Sequence, residues 1–91
     1  MPRGPAMLEA DVHDRLRRFI LEDLLRDPGY PLTDDEALVT GGLLDSFAIA
    51  QIGVFAEREF NVYIPDSDMT PETMDTLRQM VQRILRGEAT E

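Results

Sequence analysis

The hydroxyl of Ser46 stands in a setting that points to chemistry. It closes the stretch Gly41-Gly42-Leu43-Leu44-Asp45-Ser46, directly before a segment that reads as a helix. Two readings attach to it. Asp and Ser ahead of a helix are ordinary capping residues, whose side-chain oxygens accept the free N–H groups of the first turn. Asp45 can do this alone, which leaves the Ser46 hydroxyl for another use. A serine nucleophile working in its own active site needs a base and oxyanion donors. The single histidine, His13, falls in a different helix, in a charged stretch where it reads as an exposed polar residue. The chain has no cysteine, so there is no thiolate nucleophile, disulfide framework or cysteine-based zinc site. No catalytic set and no metal site is read from the sequence, and the chain is not expected to be an enzyme. A chemical Ser46 must then be modified by another enzyme. A helix N-terminus favours an added phosphate through its free N–H groups and positive dipole end.

Other residues invite chemistry less. Asp34-Asp35-Glu36 could be read as paired catalytic carboxylates, but nothing nearby reads as buried, and a solvated turn is expected. "DSDMTPE" has the look of a calcium loop. It lacks the glycine at the sixth position and the closing glutamate that such a loop needs.

The elements that must position Ser46 follow from periodicity. Leu8, Val12, Leu16, Phe19, Ile20 and Leu24 recur at helical steps and predict a first helix. It stops at Asp27-Pro28-Gly29, because proline cannot continue the ladder. Residues 28–44 form a connection above the roughly 15 residues beyond which loops in a compact domain are uncommon and usually functional or disordered. Leu38, Val39, Leu43 and Leu44 are expected to pin it to the core. A second helix is expected over 46–60, capped by Asp45 and stopped at Asn61. Pro65, Pro71 and several capping residues leave room for one helical turn near 66–69. A last helix is expected over 75–85, with Leu77, Val81, Ile84 and Leu85 inward. The expectation is an all-α fold of one small domain over 8–86, with flexible tails at 1–7 and 87–91.

The second helix carries apolar residues on two sides. Ile49, Ile52, Ala56 and Phe60, with Gly53 beside them, make one arc that must face the core. Gly53 and Ala56 are small enough to leave room there for an attached chain or for a close helix. Phe47, Ala50 and Val54 make a second arc nearly opposite, rimmed by Gln51, Glu57 and Arg58. A surface helix needs one apolar face, so the second reads as a docking surface, unless the long loop covers it. Leu44 is placed with this candidate interface.

Charge bounds the partners. The net charge is −9, and all nine bases are arginine. Between Asp27 and Asp75 there are eleven acids against one base, Arg58. Such a field repels phosphate backbones and excludes nucleic acid as a partner, while attracting a protein with a basic patch. No apolar run approaches the roughly 20 residues that cross a bilayer, and the start is not a signal peptide. A cytoplasmic monomer is expected.

"GGLLDSF" and "EREFNVYIPDSD" together resemble the acyl carrier protein family, through its D-S attachment motif and its E-F-x-x-x-I-P-D segment after the second helix. The resemblance covers residues 8–86. It implies a four-helix bundle of three main helices and one short one, with a long loop between the first two. It implies that Ser46 carries 4′-phosphopantetheine, installed from coenzyme A by a phosphopantetheinyl transferase using magnesium. The arm would hold acyl or aminoacyl groups as thioesters for fatty-acid, polyketide or specialised acyl-transfer pathways. The implied partners are loading ligases or transferases and downstream acyl-transfer or condensing enzymes. Phe47 departs from the leucine usual in fatty-acid carriers, and Ala48, Gln51 and Arg58 stand where acids are common. "LLDSF" is more similar to discrete carriers loaded by adenylating enzymes, such as D-alanyl carrier proteins. The alternative is an unmodified carrier-like interaction subunit.

Overall fold

The computed structural model describes residues 8–87. The expected N-terminal tail, 1–7, lies outside the described residues, and of the expected tail at 87–91 only Gly87 lies within them. Four helices make the fold, with the long connection between the first two.

Helix α1, Glu9–Phe19, has acids in its first turn and Arg17 and Arg18 in its last, as the helix dipole favours. It runs on without a break into a wider π turn, Ile20–Leu24. The extra residue in that turn puts both Ile20 and Leu21 in the core. The chain then leaves through Arg26, whose φ of 56° is left-handed. The Leu25 N–H donates to Ile20 O and the Asp27 N–H to Leu21 O, both at 2.8 Å. This cap ends the helix before Pro28, earlier than the Asp27-Pro28-Gly29 stop expected from sequence. Leu8, expected in the stripe, is exposed.

Helix α2 is Ser46–Phe60, with the expected bounds. Asn61 ends it in the left-handed region, and its N–H returns to Glu57 O at 3.0 Å. A 3₁₀ turn, Asp66–Asp68, and a short helix α3, Pro71–Met74, follow. Helix α4, Leu77–Arg86, starts two residues later than expected. Thr76 caps it in a capping box with Gln79, which keeps Asp75 outside the helix.

One apolar core joins the three long helices. α1 supplies Val12, Leu16 and Ile20, α2 supplies Ile49, Ile52 and Ala56, and α4 supplies Leu77, Met80, Val81 and Ile84. Leu85, expected inward, is only partly buried. The connection contributes Leu32, Leu38 and Leu44. Of the four anchors expected there, Leu38 and Leu44 are buried, Val39 is half-buried and Leu43 is exposed. The core thus holds the loop immediately before Ser46 and the helix immediately after it.

Candidate functional site

Ser46 is exposed at the first position of α2. The cap is made by its neighbour: Asp45 Oδ1 accepts from the Ala48 N–H at 2.9 Å. The Ile49 N–H donates to Asp45 O at 3.0 Å. Asp45 therefore supports the first turn through side chain and backbone. The Ser46 hydroxyl makes no hydrogen bond to a described residue, so a group attached there would displace no packing and break no cap. The exposed hydroxyl, the helix N-terminus and the separate cap fit a bulky phosphate-linked group.

The loop that delivers Ser46 is tied at several points. The Leu43 and Leu44 N–H groups both donate to Leu38 O at 2.9 Å, and the Gly42 N–H donates to Val39 O at 3.0 Å. Gly42 has a φ of 90°, and a Cβ on Gly41 would collide with Ala37 O, so both positions require glycine. Asp75 reaches this turn from the α3–α4 junction. Its Oδ1 accepts from the Val39 N–H at 2.8 Å and the Thr40 N–H at 3.0 Å, and its Oδ2 accepts from Thr40 Oγ1 at 2.8 Å. Its backbone oxygen accepts from the Leu38 N–H at 2.8 Å. The Thr40 bonds, with the Val39 N–H, hold the Asp75 carboxyl below its ordinary pKa. Sequence reasoning placed Asp75 in the last helix and missed this. The signal available was Asp-Thr two residues ahead of the apolar run, with Gln79 three residues beyond Thr76.

Asp34 and Asp35 lie in the expected solvated turn, and with Glu36 they also act as clamps. Asp34 Oδ1 pairs with His13 Nε2 at 2.7 Å. Asp35 accepts two bonds from Arg78, Nε at 2.8 Å and Nη2 at 3.1 Å. Glu36 accepts from the Tyr30 hydroxyl. The three carboxylates thus turn to different partners, and no acid pair is assembled. His13, expected to be exposed, is partly buried between two carboxylates, with Nδ1 at 3.1 Å from Asp14. The Asp34 hydrogen bond is the main cause raising its pKa above 6.5. In the former calcium-like stretch, Asp68 Oδ2 lies 2.9 Å from Arg83 Nε and 3.4 Å from Arg86 Nη2.

The second arc of α2 is uncovered. Phe47 is 70% exposed and Val54 54%. Ala50, Gln51, Glu57 and Arg58 are exposed beside them. Leu44 does not belong to this surface: it is 5% exposed and packed in the core. Ala48, which stands where related carriers commonly have an acid, is buried too. A groove of about 420 Å³ separates the end of α1 from α2 and is lined by Val54, Phe55, Arg58 and Glu59 among others. Phe55 stacks on Phe19 with centroids 4.4 Å apart and meets Phe60 edge-on at 5.8 Å. Arg15 lies over the Phe60 ring and pairs with Glu59. Sequence periodicity had left Phe55 unassigned.

On the inward arc, Gly53 is filled from outside. A Cβ there would collide with the Met69 methyl carbon, so the methionine end occupies the space glycine leaves. Among the described residues no helix is long and apolar enough to cross a membrane.

The chain is 34% identical, over 65 residues, to the D-alanyl carrier protein of Enterococcus faecalis (strain ATCC 700802 / V583). The similarity covers 71% of this chain and 83% of that protein. No family model matches the chain, and no solved structure matches it.

Proposed function

The chain belongs to the acyl carrier protein family, and on that premise we propose that its Ser46 holds a 4′-phosphopantetheine arm bearing acyl or aminoacyl thioesters. The observation that carries this is the division of labour at the start of α2: Asp45 caps, and Ser46 is exposed with its hydroxyl free. In the modification, Ser46 Oγ forms a bond to the pantetheine-side phosphorus of coenzyme A, the pyrophosphate bond breaks with adenosine 3′,5′-bisphosphate as the leaving group, and the hydroxyl proton passes to a base on the transferase. The arm supplies a terminal thiol. The chain's own residues fix where that arm is rooted and which proteins can approach it. Tethering converts the encounter between cargo and partner into a local one.

Within that function, we propose an aminoacyl or small acyl cargo loaded by an adenylating ligase, in place of bulk fatty-acid elongation. The exposed face is supplied by Phe47, Ala50, Gln51 and Val54, with Arg58 at its lower end. A partner built to pair bases with a run of carboxylates would meet a neutral surface there and repulsion at Arg58. A partner with an apolar pocket and an acid opposite Arg58 fits better. The test is a panel offered the pantetheinylated protein: a fatty-acid malonyl transferase with its ketosynthase, and adenylate-forming acyl and aminoacyl ligases. Thioester formation by a ligase is expected. Loading and elongation by the fatty-acid set alone would overturn the cargo proposal while leaving the carrier role intact.

A further inference from the structure

We propose that Asp75 is the positioning residue for Ser46, fixing the turn that presents it although the two lie on different elements. The proposal rests on Ser46 being the attachment site. Asp75 accepts four hydrogen bonds from three consecutive residues, Leu38, Val39 and Thr40. Leu38 then passes the constraint forward, because its carbonyl accepts from both Leu43 and Leu44. Leu44 is locked into the core, and the next residue is the Asp45 cap. The path from Asp75 to Ser46 is therefore hydrogen bonds and one buried side chain throughout.

Asp75 is itself held. The Gln79 side-chain oxygen accepts from the Asp75 N–H at 2.9 Å and from the Thr76 N–H at 3.0 Å. The start of α4 and the start of α2 are thus joined through one carboxylate. The geometry demands an acceptor with two oxygens or their equivalent. Two backbone N–H groups converge on Oδ1 while a hydroxyl meets Oδ2. Alanine leaves the N–H groups of Val39 and Thr40 without their acceptor; water can replace it at the exposed Thr40, but the Val39 N–H is partly buried, and leaving it unpaired is costly. The Gly41-Gly42 pair keeps more backbone freedom than any other residue type, so its path depends on the bonds around it, and those bonds run to Leu38 O and Val39 O, the segment that Asp75 anchors. Asparagine keeps one oxygen for the two N–H groups, and its amide can donate to Thr40 Oγ1.

The experiment compares wild type, D75A, D75N and a core control, V81A, each at a temperature where it is fully folded. Val81 is buried in α4 away from the turn's hydrogen bonds. Two readouts are taken: amide hydrogen exchange across 38–46, and the rate of pantetheinyl transfer from coenzyme A by a broad-specificity transferase. In D75A, exchange at 38–44 should rise about tenfold or more over wild type, while the centres of α1 and α2 change less. Transfer should slow by a similar factor of about ten, as expected when an acceptor's orientation is lost. D75N should restore both readouts to near wild type. V81A should lower stability and alter neither local exchange at the turn nor transfer. Unchanged turn exchange in D75A overturns the proposal. So does equal slowing of transfer in V81A, or failure of D75N to rescue. If wild type itself gains no pantetheinyl mass, the attachment reading fails, and the exchange data still decide whether Asp75 orders the turn.

Discussion

Truncating Phe47 separates a docking surface from a core more directly than any other change on α2. Burying a whole Phe or Val side chain contributes about 1.5–3 kcal/mol. Phe47 is 70% exposed and Val54 54%, so less than half of either side chain is covered. F47A and V54A should each cost about 1 kcal/mol or less, since the freed space opens to water and leaves no cavity. Ile52 is fully buried on the opposite arc. I52A loses the transfer term and leaves a cavity, a cost of about 2–5 kcal/mol. For a domain of this size each kcal/mol moves the melting midpoint by roughly 4–8 °C. Circular-dichroism melts should therefore show I52A falling by about 10 °C or more and F47A by a few degrees. Pantetheinyl transfer and ligase loading, measured well below every midpoint, should order the other way, with F47A impaired and I52A near wild type. A drop for F47A equal to that for I52A, with unaltered partner kinetics, would refute the reasoning and return Phe47 to the core.

Other expectations are equally direct. His13 has a raised pKa, so the stability it contributes is complete below about 6.5 and is lost as pH rises through the folded-state value. Melting midpoints between pH 6 and 8.5 should fall with a slope that H13Q removes, and a slope persisting in H13Q would assign it elsewhere. R26G relieves a left-handed backbone at a non-glycine residue and should stabilise by about 0.5–1 kcal/mol in denaturant titration; a loss would show that the side chain offsets the strain. A Cβ at Gly53 meets only the flexible end of Met69, which can swing aside, and alanine is favoured over glycine by about 1 kcal/mol inside a helix, so G53A should leave stability within about 1 kcal/mol of wild type; a cost above about 2 kcal/mol in denaturant titration would mean that the methionine end is locked in place.

The parts of the fold governed by local rules were legible in the sequence. Asp45, Asn61 and a 3.6-residue period give α2 to the residue, because cap, stop and stripe all act within one turn of the chain. The Phe47–Val54 arc was legible for the same reason, since the two faces of one helix follow from spacing, and the fold decided that the long loop leaves it uncovered. What failed depended on tertiary partners. Leu43 and Leu44 are identical in type and adjacent, and only the turn closed on Leu38 O decides that Leu44 goes in and Leu43 out. The turn at Asp34 and Asp35 was legible and its partners were not, because His13, Arg78 and Tyr30 reach Asp34, Asp35 and Glu36 from 21, 43 and 6 residues away. Asp75 read as helical because Met74 and Leu77 flank the Asp-Thr pair at helical spacing, so nothing in the local pattern separates the Thr76 cap from the helix it starts. Gly53 offered space in the sequence, and Met69, sixteen positions on, fills it.

The most direct test of the carrier account is intact mass. Wild type and S46A are incubated with coenzyme A, magnesium and a broad-specificity phosphopantetheinyl transferase, then weighed and mapped by peptide. The account predicts one phosphopantetheinyl increment on wild type, located at Ser46, and none on S46A, whose melting midpoint stays near wild type because Asp45 keeps the cap. An increment on S46A, or a well-folded wild type that gains none, would contradict it.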